Sequence, residues 1–306
     1  MHKQDKADVY FKRIIFLFGA SIPLLLFLLL ILLISKSWLS IEKFGLGFVI
    51  SSFWDPIAEQ YGALPFIYGT IMSSLIALII AVPLGLGCAI YLSEVSKSVI
   101  KEYLSAMIEL LAAIPSVVYG LWGIFVLAPW IAAYVEPGLQ SVFGFLPIFQ
   151  GAFSGLSMLS GGVILAIMIL PIITALSREI FQSVPNNLRE SAMALGATKW
   201  ETLKLAVIGP ARSGIIGAII LALGRAMGET MAVTMVIGNR PDISASLFQP
   251  GYTLASVIAN EFAEAVSELI LSVLIELGLV LLVLTLIVNA LARILIWKTT
   301  GKTITT

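Results

Sequence analysis

The chain has 306 residues, and its 18 basic and 18 acidic side chains give a formal net charge of zero, which excludes a long-range field that would attract nucleic acid. Hydrophobic residues make up 59% of the chain and charged residues only 12%, about half of the ~25% that soluble domains carry. This polar fraction is too small to cover a water-exposed globule of this length, so the composition excludes a soluble protein and predicts an integral membrane protein.

The first apolar stretch, residues 14–34, follows four basic residues and in this respect resembles a secretory signal peptide. It is longer than the ~7–15 apolar residues of such a signal and ends without a small-residue cleavage site. A helix of this length reaches roughly 30 Å, the thickness of the hydrocarbon core of a bilayer. We therefore expect residues 1–66 to comprise a cytoplasmic N-terminus, a retained first transmembrane helix and an outer loop.

Five further stretches are long and apolar enough to cross the bilayer, and they are residues 67–92, 104–130, 161–180, 212–238 and 269–297. Several contain proline, which bundled membrane helices tolerate because neighbouring groups satisfy the freed backbone atoms. The sequence therefore predicts an all-α integral membrane protein with six transmembrane helices. Residues 67–297 would form its core and residues 298–306 a cytoplasmic tail.

The positions of the lysines and arginines predict the orientation. With the N-terminus in the cytoplasm, 14 of them lie in or next to cytoplasmic segments, Lys36, Lys43 and Arg240 lie outside, and Arg225 lies within a span. Basic residues are enriched on the cytoplasmic side of membrane proteins. Both termini are therefore predicted to be cytoplasmic.

The longest cytoplasmic segment, residues 181–211, carries helix signals. Pro185 is typical of a helix start and Gly196 of a helix end. Three residues between them recur at helical spacing and would share one face, namely Leu188, Ala192 and Leu195.

A second short helix is predicted directly afterwards. Thr198 and Glu201 have the spacing of a capping box, and the helix is expected to run to about Ile208, where Gly209 and Pro210 would end it. Residues 185–208 would then form a helical hairpin at the cytoplasmic surface. Such a hairpin either docks another protein or lies on the membrane surface without a partner.

The segment Glu190–Gly196, which reads Glu-Ser-Ala-Met-Ala-Leu-Gly, resembles the EAA loop of binding-protein-dependent ABC import permeases. It departs from the family pattern in Ser191, which replaces the first alanine, and in Pro210, which comes one residue late. In that family the loop is a coupling helix that sits in a groove of the cytoplasmic ATPase. The resemblance implies this role for Glu190, Ser191, Ala192, Leu195, Gly196 and Ala197.

Other segments are similar to the phosphate-specific permeases, and most of all to their C-type subunit; these are Trp54–Pro56, Gly62–Thr70, Ile114–Gly123 and Gly224–Thr230. The resemblance runs over essentially the whole chain and implies a type I ABC importer permease fold. It further implies a subunit of an ATP-driven, binding-protein-dependent importer of inorganic phosphate in the bacterial cytoplasmic membrane. The implied partners are a homologous A-type permease, a cytoplasmic ATPase dimer that binds the ATP, and an extracytoplasmic phosphate-binding protein. The chain itself would hold no cofactor.

Charged residues inside the predicted spans are candidates for the translocation pathway, because a charge near the bilayer centre costs on the order of 2.5–3.5 kcal/mol. Arg225 and Glu229 lie four residues apart in the fifth predicted span, so we expect them to share a helix face and to pair. A guanidinium offers a planar set of donors that suits a tetrahedral oxyanion. Arg225 is therefore predicted to line the path with Glu229 beside it, the alternative being a neutralised pair that joins two helices.

Two further intramembrane carboxylates rank below that pair. Glu276 in the sixth span is a pathway candidate, and Glu109 in the third is another titratable group of the same kind. Either residue is also suited to pairing with a basic residue of a neighbouring helix. The acidic outer segment 239–268 repels free anions and favours delivery of the cargo by a docked binding protein.

The sequence offers no catalytic or metal site. Gly301 and Lys302 lack the rest of a phosphate-loop motif, and His2 is the only histidine. ATP hydrolysis is therefore expected of another subunit. The alternative functions are a permease for sulfate or molybdate, an ATP-independent anion transporter, and a membrane-embedded enzyme or sensor. Arg225 would serve any oxyanion, while the docking loop counts against the second alternative and the missing catalytic residues against the third.

Overall fold

A computed structural model describes the backbone of residues 3–96 and 98–300 and the side chains of residues 8–96 and 99–294. The predictions for His2, Gly301 and Lys302 concern residues outside the described ones. The same holds for the side chains of four lysines counted for the orientation, namely Lys3, Lys6, Lys97 and Lys298. The described residues form helices joined by loops. In chain order the helices are α1 (Lys3–Lys36), α2 (Trp38–Phe44), α3 (Gly47–Ile50), α4 (Leu64–Ile90), α5 (Ser98–Ala113), α6 (Ser116–Trp122), α7 (Ala128–Trp130), α8 (Glu136–Phe143), α9 (Met158–Ser183), α10 (Asn186–Ala194), α11 (Lys199–Thr202), α12 (Gly209–Met227), α13 (Met231–Val236), α14 (Leu254–Glu261) and α15 (Glu268–Thr300).

Within the part of the chain that the structure describes, six continuous helical stretches are long and apolar enough to cross a membrane, which confirms the predicted number of spans. They are Asp8–Lys36, Leu64–Val95, Ser116–Phe143, Met158–Ser183, Lys199–Met227 and Glu268–Ile294. Four of their segments are wider π-helical turns, which are frequent at functional sites: Tyr91–Val95, Gly123–Leu127, Ile131–Val135 and Leu203–Ile208.

The third span begins at Ser116 and not at residue 104. The difference arises at Pro115, whose extended backbone (φ −59°, ψ 140°) separates α5 from α6, because proline disfavours a helical conformation at the residue before it. The apolar residues of α5 belong to a separate helix that packs against α9. The charged residues of α5, Glu109 among them, therefore lie outside the six spans.

The fifth span is displaced toward the cytoplasmic hairpin relative to the predicted residues 212–238. Gly209 and Pro210 do not end the hairpin helix as expected, because the wide turn Leu203–Ile208 leads directly into α12. Pro210 is the second residue of α12 and directly follows this wide turn, and departures from regular helix geometry are the usual accompaniment of a proline within a helix. The span ends at Met227, and α13 is a separate short helix.

The core is centred on α4 and α9, which form the most extensive helix contact of the described chain. Glycines allow the close approach: a side chain at Gly162 would lie 2.4 Å from Ile76, and one at Gly85 would lie 2.9 Å from Ile173. Small residues at helix interfaces are the usual device for packing within membranes, where apolar burial gives little gain. α12 packs against the same pair of helices on the side of α15.

A second apolar cluster joins the outer segments to α15. Phe48 of α3, Phe66 of α4 and Tyr252 before α14 are buried against Val273 and Leu274 of α15. α1 lies at the edge of the bundle and packs against α15 and α2. The molecule therefore has a packed centre and, on either side of α15, grooves in which polar residues lie.

Candidate functional site

A groove of about 1210 Å³ runs along α12 and α15 and contains charged residues from both helices. Its lining is apolar or small apart from four polar side chains. The lining residues are Ile172, Gly217, Ile220, Leu221, Gly224, Arg225, Gly228, Glu229, Leu286, Asn289, Ala290 and Arg293.

Arg225 lies two residues before the end of α12 and is exposed in this groove. The helix ends because Gly228, a poor helix former, leaves the helical conformation. The expectation of one helix that carries both Arg225 and Glu229 is therefore wrong. The two residues lie on either side of a break between α12 and α13.

Glu229 is 8% exposed, and its carboxylate bonds to the backbone of the next helix, α13. Its Oε1 accepts a hydrogen bond of 3.4 Å from the backbone N–H of Ala232, in the first turn of α13, where a carboxylate also interacts favourably with the helix dipole. Among the described residues, no carboxylate lies within 4.0 Å of the Arg225 guanidinium. Arg225 thus keeps its donors available to the groove.

The sequence analysis missed two groove residues, Asn289 and Arg293 of α15. Arg293 was assigned to the basic residues of the cytoplasmic edge. The available signal was its spacing, since Asn289 and Arg293 are four residues apart and therefore share a face of an otherwise apolar helix. The groove combines two guanidinium groups with one carboxylate, and its lining carries a net positive charge.

Glu276 lies in a different groove, of about 520 Å³, whose lining is apolar except for this carboxylate. It is 6% exposed, and its Oε2 has no hydrogen-bond partner in the described chain. One turn earlier on α15, the hydroxyl of Ser272 accepts a hydrogen bond of 3.0 Å from the backbone N–H of Ser40 in α2. The structure does not bring Glu276 together with Arg225.

Glu109 is accounted for by an ion pair. Its carboxylate lies 3.4 Å from the guanidinium of Arg178, so the pair joins α5 to the C-terminal part of α9. The Glu109 side chain is 65% exposed, so the pair contributes little to stability. The pairing with a neighbouring helix that the sequence analysis considered is thus present.

The two short helices of the hairpin, α10 and α11, form with the predicted start, turn and capping box. α10 begins directly after Pro185 and ends in a Schellman motif at Gly196 (φ +86°), where the N–H of Ala197 bonds the carbonyl of Ala192 at 3.1 Å. The capping box of α11 is complete, with Glu201 and Thr198 bonded reciprocally.

The hairpin presents an uncovered surface. No residue of α10 is buried, and of the residues assigned to coupling, Ala192 and Ala197 are half-buried while the others are exposed: Glu190, Ser191, Leu195 and Gly196. Large apolar side chains stand among them, with Leu195 90% and Trp200 66% exposed. The hairpin therefore exposes apolar side chains that the described part of this chain does not cover.

Arg189 fastens the hairpin to the bundle. Its guanidinium donates two hydrogen bonds, of 2.8 and 3.2 Å, to the carboxylate of Glu94 in the π-helical end of the second span. It also donates to the backbone carbonyls of Val184 at 2.6 Å and Phe181 at 2.8 Å. Arg189 was not predicted as an anchor from the sequence, because its partner Glu94 lies on a different span.

Between the first outer segment of the sequence prediction and α14 lies a pocket of about 660 Å³ with aromatic and acidic walls. Glu261 accepts a hydrogen bond of 3.2 Å from the indole N–H of Trp54. Burial raises the pKa of the Glu261 carboxyl above its ordinary value, the Trp54 bond opposes this rise, and Glu264 adds to it. Burial likewise raises the pKa of Tyr252, in the same pocket, to about 12. The acidic outer segment therefore includes a partly desolvated carboxyl.

Residues 81–300 match the family described as binding-protein-dependent transport system inner membrane component. The match extends over more than two thirds of the chain. The chain belongs to this family. It is thus a multi-pass membrane permease component.

This permease has relatives of nearly its own length. It is 44% identical over 306 residues to the phosphate transport system permease protein PstC of Haemophilus influenzae, with 98% of this chain and 97% of the relative covered. It is 46% identical over 275 residues to the protein of the same name from Mesorhizobium japonicum, with 89% and 84% covered.

Solved structures share the permease's fold. An inward-facing form of the MetNI methionine ABC transporter matches with a TM-score of 0.52 at 14% identity, with 78% of this chain and 94% of that chain covered. A bacterial ABC transporter that imports the acidic polysaccharide alginate matches with a TM-score of 0.53 at 16% identity, with 94% and 98% covered. These likenesses confirm the predicted all-α importer permease fold.

Proposed function

We propose that the chain is the C-type permease subunit of an ATP-driven importer that carries inorganic phosphate across the cytoplasmic membrane. The observation that carries this proposal is its similarity, from end to end, to the phosphate transport system permease protein of Haemophilus influenzae. The groove between α12 and α15 supports it, because the lining offers guanidinium donors without a paired carboxylate.

Arg225 would contact the anion inside the membrane. A guanidinium binds phosphate oxygens through two parallel hydrogen bonds and keeps its charge at any physiological pH. Glu229, on the other side of the helix break, lowers the local positive charge and so keeps the anion from being held too tightly. Binding that is neither too weak nor too strong is a general requirement of conduction.

A second permease would close the groove. Side chains added at Gly217 or Gly224 of α12 would meet no atom within 4 Å, so this face of α12 is uncovered along the described chain. A homologous A-type subunit packed against it would complete the wall of the pathway. The two subunits would then contribute one half of the path each.

The hairpin α10–α11 would dock on the ATPase. Its residues Glu190, Ser191 and Leu195 are exposed at the surface, and the turn Leu203–Ile208 joins the hairpin to α12 without a flexible loop. Closure of an ATPase dimer would therefore displace the helix that carries Arg225. Rigid-body movement of this kind alternates access to a site between the two sides of a membrane. The chain itself would bind no ATP and hydrolyse none.

The orientation follows from this arrangement. Both termini and the hairpin would face the cytoplasm, while the aromatic and acidic pocket around Glu261 would face outward and receive the phosphate-binding protein. The distribution of lysine and arginine supports this orientation.

Uptake of labelled phosphate tests the proposal. The chain would be reconstituted in proteoliposomes with its A-type permease, ATPase and binding protein, with ATP on the ATPase side and matched vesicles without ATP as the control. Uptake that requires ATP and resists excess sulfate and molybdate is the expected result. Uptake without ATP would contradict the proposal of an ATP-driven importer. Strong competition by sulfate would show that the transported substrate is another oxyanion.

A further inference from the structure

Two arginines, on different helices, lie in the groove at different depths. Arg225 is near the end of α12, whereas Arg293 is 25 residues beyond the first residue of α15. Consecutive spans run in opposite directions, so the order of lining residues along α12 is reversed along α15. Arg225 therefore lies toward the outer end of the groove and Arg293 toward its cytoplasmic end.

The helix rise gives the length of groove that α15 lines. Arg293 is seven residues beyond Leu286, the first lining residue of α15, which corresponds to roughly 10 Å at ~1.5 Å per residue. The wall between the two arginines consists of small or apolar residues, with Asn289 as its one polar member one turn from Arg293. An anion that leaves Arg225 inward would therefore meet Asn289 and Arg293 next.

We propose that Asn289 and Arg293 form a second binding station for a tetrahedral oxyanion, on the cytoplasmic side of Arg225. The inference rests on the proposed function for the direction of movement, but the chemistry of the station is independent of it. Arg293 supplies charged donors and Asn289 a neutral amide N–H. Among the described residues, no carboxylate lies within 4.0 Å of the Arg293 guanidinium.

A second station serves the release of the anion. A single guanidinium that binds phosphate strongly also holds it, whereas neighbouring sites let an ion pass from one to the next. Phosphate oxygens at Arg293 come from one of two sources, the transported anion or the headgroup of a membrane lipid. The geometry favours the transported anion, because Arg293 shares its cavity with Arg225.

A cysteine reporter in the groove tests the station. Ala290 lines the groove between Asn289 and Arg293 and is exposed. In a Cys88→Ser background, which removes the one exposed native thiol, Ala290→Cys would be reacted with a neutral maleimide. Inside-out membrane vesicles that contain the whole transporter give the reagent access from the cytoplasmic side.

Inorganic phosphate is expected to slow this reaction saturably. Protection by a bound ligand grows as one plus its concentration divided by Kd, so phosphate at a few times Kd gives about threefold slowing or more. The protection should disappear in Ala290→Cys/Arg293→Gln and persist in part in Ala290→Cys/Arg293→Lys. Leu291→Cys, exposed but outside the groove, is the matched control and should show no protection.

The outcomes separate the possible explanations. Absence of protection, or protection that survives Arg293→Gln, would overturn the station. A reaction that phosphate leaves unchanged in vesicles, but that speeds up in dodecyl maltoside and slows again with phosphatidylglycerol, would assign Arg293 to a lipid headgroup and also overturn it. Protection is measured without ATP or binding protein. An Ala290→Cys complex that imports phosphate with ATP and binding protein but shows no protection therefore refutes the station alone.

Discussion

The guanidinium of Arg189 and the carboxylate of Glu94 form a bidentate hydrogen-bonded ion pair between the hairpin and the end of the second span, at 2.8 and 3.2 Å. Their side chains are only 15% and 20% exposed, so water and salt screen the pair less than a surface ion pair. One partner belongs to the hairpin and the other to the end of the second span. The hairpin is thus connected to the bundle at two places, through α12 and through this ion pair.

Arg189→Gln should uncouple the hairpin from this span. The change removes the charged donor of Glu94 and of two backbone carbonyls, and we expect a loss of about 1.5–3 kcal/mol in the free energy of unfolding. Phosphate imported per ATP hydrolysed should fall at least about tenfold, while the ATPase still co-purifies. Arg240→Gln, which breaks an ion pair exposed by more than half on both sides, is the control. Equal transport stoichiometry in the two variants would contradict the mechanical role.

Arg225→Gln should abolish phosphate uptake and leave assembly intact. Glutamine keeps two amide hydrogens but loses the charge and the fork of donors. Uptake in proteoliposomes and co-purification of the partner subunits would be measured together. Arg212→Gln, in the first turn of the same helix and outside the groove, should transport normally. Normal uptake in Arg225→Gln would remove Arg225 from the pathway.

Glu276→Gln should retain uptake close to that of the wild type. Its carboxylate lies in the apolar groove beside α2 and not in the groove of Arg225. Glutamine has nearly the same shape and no charge, so it keeps the packing of this groove and avoids the cost of burying a charge. A loss of uptake as complete as that of Arg225→Gln, at equal abundance in the membrane, would place Glu276 in the pathway as the sequence analysis predicted.

Gly69→Ala should destabilise the outer half of the bundle. A methyl group there would lie 2.1 Å from the backbone carbonyl oxygen of Tyr252, and a backbone atom cannot move aside as a side chain does. We expect a loss of about 1–3 kcal/mol in the free energy of unfolding. Unfolding would be measured by tryptophan fluorescence in detergent. Gly217→Ala, which meets nothing within 4 Å, should be neutral or gain up to ~1 kcal/mol. Equal effects would contradict the close packing at Gly69.

Glu261→Gln should change how stability depends on pH. Because burial raises the pKa of Glu261 above its ordinary 4.5, the folded state binds the proton more tightly than the unfolded state. The stability it contributes is present below pH 4.5 and is lost as the pH rises through the raised pKa. The gain in melting temperature of Glu261→Gln over the wild type should therefore grow with pH and then level off.

Trp54→Phe provides the second arm of this experiment. It removes the indole N–H that favours the charged carboxylate, so the pKa of Glu261 should rise further and the wild-type trend should extend to higher pH. Melting curves of the detergent-solubilised chain over a series of pH values give both results. A pH profile that is the same in the wild type and in both variants would show that the carboxyl is not desolvated.

Features that depend on local chemistry were predictable from the sequence. The spans follow from apolar length, and the caps of α10 and α11 follow from Pro185, Gly196 and the Thr198–Glu201 spacing. The separation of α5 from α6 at Pro115 and the continuous helix through Pro210 were not predictable. Proline interrupts the helix at the first position and is accommodated at the second, according to the neighbouring residues.

Site residues that depend on long-range contacts were also out of reach. Glu94 and Arg189 are 95 residues apart, and no periodicity relates them. Arg293 has the same composition signal as any basic residue at a membrane edge, and only the packing of α15 against α12 places it in a groove with Arg225. The helix break, in contrast, could have been predicted from Gly228, since glycine weakens helices.

The break between α12 and α13 has a consequence for the charge that a passing anion meets. α12 packs against α4, α9 and α15, whereas α13 packs against α6, α9 and α14, so Arg225 and Glu229 belong to segments with different neighbours. In an unbroken helix the arginine and its counter-ion would stay equally far apart in every state of the transporter. Spin labels on α12 and α13 whose separation never changes through the ATP cycle would argue against any such adjustment. If Arg225 binds the anion as proposed, the break would allow the carboxylate to approach Arg225 once the anion has left, and so to neutralise the empty site before the next turnover.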